Sequence, residues 1–260
     1  MIYIAFLFFT FMILLFVFYQ WQFYVVFSPT HHRENELGNG CQLLSMKTDD
    51  GVELEGAIYE AQDATNTLLV FVGRSHDGVG LINKLALTYP KSRIIVFNYR
   101  SYGKSKGVLN ERNILSDGVK IAQLVEKNYG EYYILGFSIG SSVAAYVATK
   151  LKCKGLFLVG AFDSISGLAK EKYLSHKSFK RVDISKLLRY KFHTKEFVKS
   201  IEVDTYLFVS KSDEITYLNN SRELKQHVKN LKYYSELENL THKELLWDSG
   251  VVDIIKEVIE

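Results

Sequence analysis

The chain opens on an unbroken apolar run. From Met1 to Phe27 no side chain carries a charge, and the first formal charge is Arg33. Between Ile2 and Tyr19 the residues are almost all aliphatic or aromatic, with Thr10 the one strongly hydroxylic break. At 1.5 Å per residue, 18 to 20 helical residues reach about 27–30 Å, the thickness of a bilayer hydrocarbon core. Tyr19, Trp21 and Tyr24 follow, where an interfacial aromatic belt lies. A cleaved secretory signal fits less well, because the run is long, lacks a basic leader and is followed by no Ala-x-Ala-like site. The pattern predicts a single-pass N-terminal anchor over 1–27, in contact with the lipid bilayer through residues 2–27. Only Arg33, Glu34, Glu36 and the terminal amine flank it, so the positive-inside rule has too little to read and the side of the membrane stays open.

Past a polar connector at 28–40 the periodicity changes, and 41–260 reads as one domain. Segments 41–47 and 52–60 predict a hairpin turning at Asp49-Asp50-Gly51. The continuous apolar run 67–72 predicts a strand buried on both faces, and 93–97 a second, β-branched one. Helical spacing is expected over 79–89, 114–128, 141–151, 217–229 and 242–259, with further strands at 132–135, 156–160, 205–210 and 232–236. Strands and helices alternating in this way imply an α/β fold, a mostly parallel central sheet covered by helices on both faces. Reactive groups in such sheets gather at the carboxyl ends of the strands.

Composition narrows the picture without redirecting it. Of 260 residues 47% are apolar, enough for a sizeable core, and a net charge of +3 gives no reason to expect nucleic acid. Two distant cysteines, Cys41 and Cys153, indicate neither a disulfide framework nor a metal site. The charge is unevenly spread: Lys170 to Lys199 holds ten Lys or Arg against three acidic residues. A solvated surface is the ordinary meaning of such a run. Beside a bilayer, each cation near an anionic leaflet is worth about 1 kcal/mol, which makes anionic lipid a candidate partner. Leu168, Tyr173, Phe179, Leu187, Tyr190 and Phe192 interleave with these charges and could cover an apolar pocket.

The candidate chemistry centres on Gly136-Phe137-Ser138-Ile139-Gly140, between an apolar strand and a helix-like run. A sharp strand-turn-helix would lift the Ser138 hydroxyl away from the sheet, and glycines would avoid collision where strand meets helix. A serine nucleophile needs a base and an acid to orient it, in one known chain order Ser, then Asp or Glu, then His. Of seven histidines, His31 and His32 adjoin the anchor, His176 and His193 lie in the basic run, and His227 sits on a polar helix. His76 follows the 67–72 strand, too early for that order. His242 alone falls between the last strand and the last helix and is the expected base. Asp213, just after the 205–210 strand, is the preferred acid, with Asp163 the stronger rival and Glu214 a weaker one. Two backbone N–H groups, of Ile139 and Arg74, are the expected oxyanion hole. His76, Phe137 and Tyr102 stand as candidate substrate contacts.

Together with Asn98-Tyr99-Arg100-Ser101-Tyr102-Gly103-Lys104-Ser105 and Phe162-Asp163-Ser164, these motifs resemble the α/β-hydrolase superfamily from about Leu43 onward. They are most similar to its small membrane-anchored serine hydrolases, related to monoacylglycerol lipases and acyl-protein thioesterases. The resemblance implies an α/β-hydrolase fold with a short helical cap insertion at 163–202. It also implies hydrolysis of an ester or thioester of a lipid-like or acylated substrate, without metal or cofactor. Two positions depart from the family pattern: Val72-Gly73-Arg74 replaces His-Gly-Asn at the oxyanion loop, and Ser101 stands where Gly is more usual. The altered loop keeps two other readings open, a non-catalytic binding or scaffold protein at the membrane and a serine peptidase on the same fold.

Overall fold

A computed structural model describes residues 2–31, 36–174 and 183–260. Helix α1 (Ile2–Val26) is followed by the hairpin β1 (Cys41–Lys47) and β2 (Glu53–Tyr59), paired antiparallel from Cys41 opposite Tyr59 to Lys47 opposite Glu53. The chain then alternates through β3 (Thr67–Phe71), α2 (Ile82–Thr88), β4 (Arg93–Phe97), α3 (Glu111–Tyr129), β5 (Tyr132–Phe137), α4 (Ile139–Ala148) and β6 (Leu156–Val159). After α5 (Ile165–Tyr173) and the short α6 (Thr194–Val198) come β7 (Thr205–Ser210), α7 (Leu218–Lys225), β8 (Leu231–Leu237), α8 (His242–Leu245) and α9 (Ser249–Ile259). One eight-stranded sheet results, in the order β1-β2-β4-β3-β5-β6-β7-β8, parallel from β4 to β8.

The expected architecture is present. Strands β3, β6 and β7 are buried along their whole length, as uninterrupted apolar runs covered by helices on both faces must be. Helix α3 starts on the Asn110 side chain, which accepts the Asn113 N–H at 2.9 Å, and buries Ile114, Ile121, Ala122 and Val125. The expected 242–259 helix is two helices. Asp248 breaks it by accepting the N–H groups of Gly250 and Val251, which caps α9.

Helix α1 is long and apolar enough to cross a membrane, and every residue from Ile2 to Trp21 is exposed. Its end is different. Phe27 is fully buried against Tyr190 and Phe192, and the Gln22 amide accepts the Arg189 N–H at 2.7 Å. Gln22, Val26 and Phe27, expected to belong to the anchor, are therefore packed into the domain, while Tyr24 between them stays exposed. The connector expected at 28–40 is held too: Thr30 accepts the Gly103 N–H at 2.8 Å, and Gly38 donates to Asn83 at 2.8 Å. His32, Arg33 and Glu34 lie outside the described residues.

Loop, hairpin and helix are tied together by Arg100. Its buried guanidinium donates to both carboxylate oxygens of Asp117 in α3, at 2.7 and 2.9 Å, and to both of Asp50 in the β1–β2 turn, also at 2.7 and 2.9 Å. Removing the cation strands the buried Asp117 charge. Arg100→Met is expected to lower unfolding stability by about 3–5 kcal/mol in urea titration. A loss below about 1 kcal/mol contradicts this account of the Arg100 pairing.

Candidate active site

Ser138 occupies the turn between β5 and α4 with φ 57° and ψ −123°. A non-glycine residue there is strained by about 1–3 kcal/mol, so the surroundings must enforce it. They do so by close packing. A Cβ on Gly140 would stand 2.1 Å from the Phe71 carbonyl oxygen, and one on Gly136 2.6 Å from the Gly140 oxygen. The first turn of α4 thus sits directly on the ends of β3 and β5. The Ser138 N–H donates to Val159 at 2.9 Å and its carbonyl accepts from the Ser141 N–H at 2.9 Å, which fixes both sides of the turn.

The loop after β7 brings in the acid. Asp213 Oδ1 accepts the N–H groups of Ile215 and Thr216 at 2.8 and 2.7 Å, while Oδ2 accepts the Thr216 hydroxyl at 2.7 Å. The same Oδ2 lies 2.7 Å from Nδ1 of His242. With a carboxylate on Nδ1, the neutral imidazole carries its proton there and leaves Nε2 free to accept one. Burial pushes the Asp213 carboxyl up, but hydrogen bonds from His242 and Thr216 outweigh it and hold its pKa below the usual carboxylate range. The His242 ring stacks on Phe137 with centroids 4.9 Å apart.

The rival acids have other partners. Glu214 accepts the backbone N–H of His242 at 3.1 Å, steadying the main chain rather than the ring. Asp163 accepts from Asn220 at 2.8 Å and from Ser164 at 3.0 Å, joining the starts of α5 and α7. Asp213 is the carboxylate on the imidazole.

The loop after β3 closes the other side. His76 N–H bonds back to the Gly73 carbonyl at 3.2 Å, so residues 73–76 form a tight turn. The Arg74 carbonyl accepts the Ser28 N–H at 3.1 Å and the Tyr102 hydroxyl, and its guanidinium donates to the Val25 carbonyl at the end of α1. Tyr102 is fully buried behind the loop and does not line the cavity, so its expected substrate contact is replaced by a bracing role. His76 does line it, edge-on to Phe137 with centroids 5.6 Å apart; burial and the neighbouring His242 lower its pKa.

Ser138, Ile139, Arg74, His76, Phe137 and His242 all face one cavity of about 490 Å³. The Ile139 N–H, first of α4, has no acceptor within its helix, and the Arg74 N–H has none among the described residues. Apolar side chains also line the cavity, among them Val25 and Val26 from α1, Phe162, and Ile165 and Leu168 from α5, with Lys172 and Tyr173 of the same helix. Among the described residues of the insertion expected at 163–202, α5 is thus the part that lines the site. Tyr190, Phe192, Thr194 and Val198 are buried in the domain instead, with the Lys191 and Phe192 N–H groups on the Glu111 carboxylate at 2.6 and 2.7 Å. His176 and Phe179 lie outside the described residues.

No protein-family model matches the chain. Over 115 residues it is 27% identical to an uncharacterised protein of Acanthamoeba polyphaga mimivirus, a stretch covering 42% of this chain and 39% of that one. Solved structures resemble it more widely. An esterase from Pyrococcus furiosus superposes over 89% of this chain and 97% of its own at TM-score 0.64 and 15% identity. An acetyl xylan esterase from a Paenibacillus species covers 87% of both chains at TM-score 0.69 and 14% identity. An alpha/beta hydrolase from a Penicillium species covers 84% of this chain and 96% of its own at TM-score 0.63 and 12% identity. The chain has the α/β-hydrolase fold.

Within that fold the two departures have structural counterparts. Ser101 adopts φ 65°, the left-handed conformation that glycine takes without strain, and its hydroxyl donates to the Gly107 carbonyl at 2.9 Å. Arg74 occupies the turn after β3 and uses its side chain to grip α1. Sequence reasoning missed two residues. Thr216 bonds Asp213 through both its N–H and its hydroxyl, and its one signal was its place three residues after a loop Asp. Val25 was hidden in the apolar run. Thr216→Val removes one of the bonds that lower the Asp213 pKa, so a ¹³C carboxyl titration is expected to find the midpoint raised relative to the parent. Because the folded pKa is depressed, the stability this carboxylate contributes is present above about pH 4 and is lost as pH falls through the folded midpoint. An unmoved midpoint contradicts the role given to the hydroxyl.

Proposed function

We propose that the chain is a serine hydrolase cleaving carboxylic ester or thioester bonds of lipid-like or acylated substrates. The observation that carries the reading is the strained Ser138 turn facing, in one cavity, an imidazole whose Nδ1 is held on Asp213. The esterases and hydrolase that share the fold agree with it in reaction type.

In this mechanism the substrate carbonyl lies over Ser138 with its oxygen toward the N–H groups of Ile139 and Arg74. Nε2 of His242 takes the hydroxyl proton as Oγ attacks, and Asp213 stabilises the imidazolium. The two N–H groups meet the tetrahedral oxyanion, where each donor is worth about 2.7–4 kcal/mol of barrier. His242 then protonates the leaving alkoxide or thiolate. Water, deprotonated by the same Nε2, releases the acid from Ser138.

Helix α1 serves in this reading as a single-pass anchor. Lys186 and Arg189 sit beside its Tyr19–Gln22 end, where they would meet anionic headgroups at about 1 kcal/mol each.

Full-length protein in detergent is expected to label with a fluorophosphonate probe, and Ser138→Ala to abolish labelling. Asp213→Asn is expected to lower ester kcat about 10⁴-fold, since it disrupts the tautomer that leaves Nε2 free. Labelling that survives in Ser138→Ala, or a loss of less than tenfold in Asp213→Asn, sinks the assignment.

A further inference from the structure

We propose that the last two turns of α1 are a working wall of the active site. They select the acyl chain and guide it to Ser138 along the helix from the apolar layer that α1 occupies. The inference rests on Ser138 being the nucleophile and adds the source of its substrate: an ester or thioester whose acyl tail is already dissolved in the bilayer.

Three observations converge on this. Val25 and Val26 line the same cavity as Ser138 and His242, together with Ile165, Leu168 and Tyr173 of α5. An acyl chain bound at Ser138 therefore lies against side chains of α1 and α5. Both valines are β-branched and stiff at χ1, so they form a defined surface rather than a yielding one.

This end of α1 is also locked to the catalytic machinery. The Val25 carbonyl accepts from the Arg74 guanidinium, and the Ser28 N–H donates to the Arg74 carbonyl at 3.1 Å. Gln22 holds the segment at Leu187 and Arg189, and Phe27 is buried beside Tyr190. A helix serving only as a tether needs none of these ties. Here the residues that wall the cavity are bonded to the loop that carries the oxyanion donor.

The third observation is position along the helix. Residues 2–21 are exposed and uncharged, and the cavity wall begins at Val25. At 1.5 Å per residue, Val25 is only about 6 Å along the axis beyond Trp21. Trp21 itself lies against Tyr173 of α5, with ring centroids 6.4 Å apart. If residues 2–20 span the hydrocarbon core, a chain leaving the cavity along α1 reaches hydrocarbon without crossing open water. A tail passing from hydrocarbon to an apolar wall keeps its methylenes out of water throughout.

The test is a chain-length profile on the full-length protein in detergent micelles, using p-nitrophenyl butyrate, laurate and palmitate. Fluorophosphonate labelling is the independent readout of Ser138. Val25→Trp is expected to lower the palmitate-to-butyrate ratio of kcat/KM at least tenfold. Val25→Ala, which only removes two methyl groups, is expected to raise that ratio severalfold and decides the matter if the Trp variant does not fold. A ratio unchanged within twofold, with labelling intact, overturns the wall and leaves the hydrolase reading standing. A parent protein that neither labels nor turns over any of the esters overturns both.

Discussion

Helix α4 approaches the sheet so closely that two side chains have to be absent. At Gly140 and Gly136 any Cβ would enter the backbone of β3 or of α4 itself, and the short span between them leaves Ser138 in the left-handed region. A serine in a relaxed turn would not be held above the sheet with its N–H fixed on β6. The rest of the site is arranged around that point. Parallel β3, β5, β6 and β7 end on the same side, and the loops that follow carry the Arg74 turn, Ser138, Asp163 and Asp213. His242 reaches Asp213 from the start of α8, which a capping box between Thr241 and Glu244 secures.

A second dependence runs from the N-terminus into the site. Arg74 lines the cavity and its side chain reaches α1, so one residue joins the candidate site to the N-terminal helix. Tyr102 and Ser28 bond its carbonyl from behind. The replacement of the usual His-Gly-Asn by Val72-Gly73-Arg74 is intelligible in these terms. It puts on the loop after β3 a side chain that ties that loop to the end of α1. A fragment cut at residue 30 would expose Tyr190 and Phe192 and leave the Arg74 guanidinium without its Val25 partner.

Much of this was legible in the chain itself, for identifiable reasons. The strands announced themselves because a parallel sheet covered on both faces demands apolar runs. The candidate site was legible because the elbow, Asp213 and His242 each follow a strand or adjoin a helix start in the order expected of them. Hydrophobicity could not show where α1 stops facing outward, since Val25 and Phe27 read alike against lipid and against protein. Tyr190 and Phe192 were obscured by the lysines and arginine around them, which placed a buried segment within a surface-like charge run. Tyr102 looked like a substrate contact because its neighbours are polar, whereas its hydroxyl is spent on the Arg74 carbonyl. Thr216 and the break at Asp248 depend on side-chain hydrogen bonds to nearby backbone, a signal too short-ranged to separate from ordinary turn chemistry.

The central claim is that the strained serine between β5 and α4 carries the acyl group during turnover. Acid-quenching the full-length protein within milliseconds of mixing with an acyl ester, followed by peptide mass mapping, tests it directly. The account predicts one acyl increment on the peptide containing Ser138, appearing before steady state. Steady ester turnover with no increment on that peptide, or with the acyl group on a different residue, would contradict it.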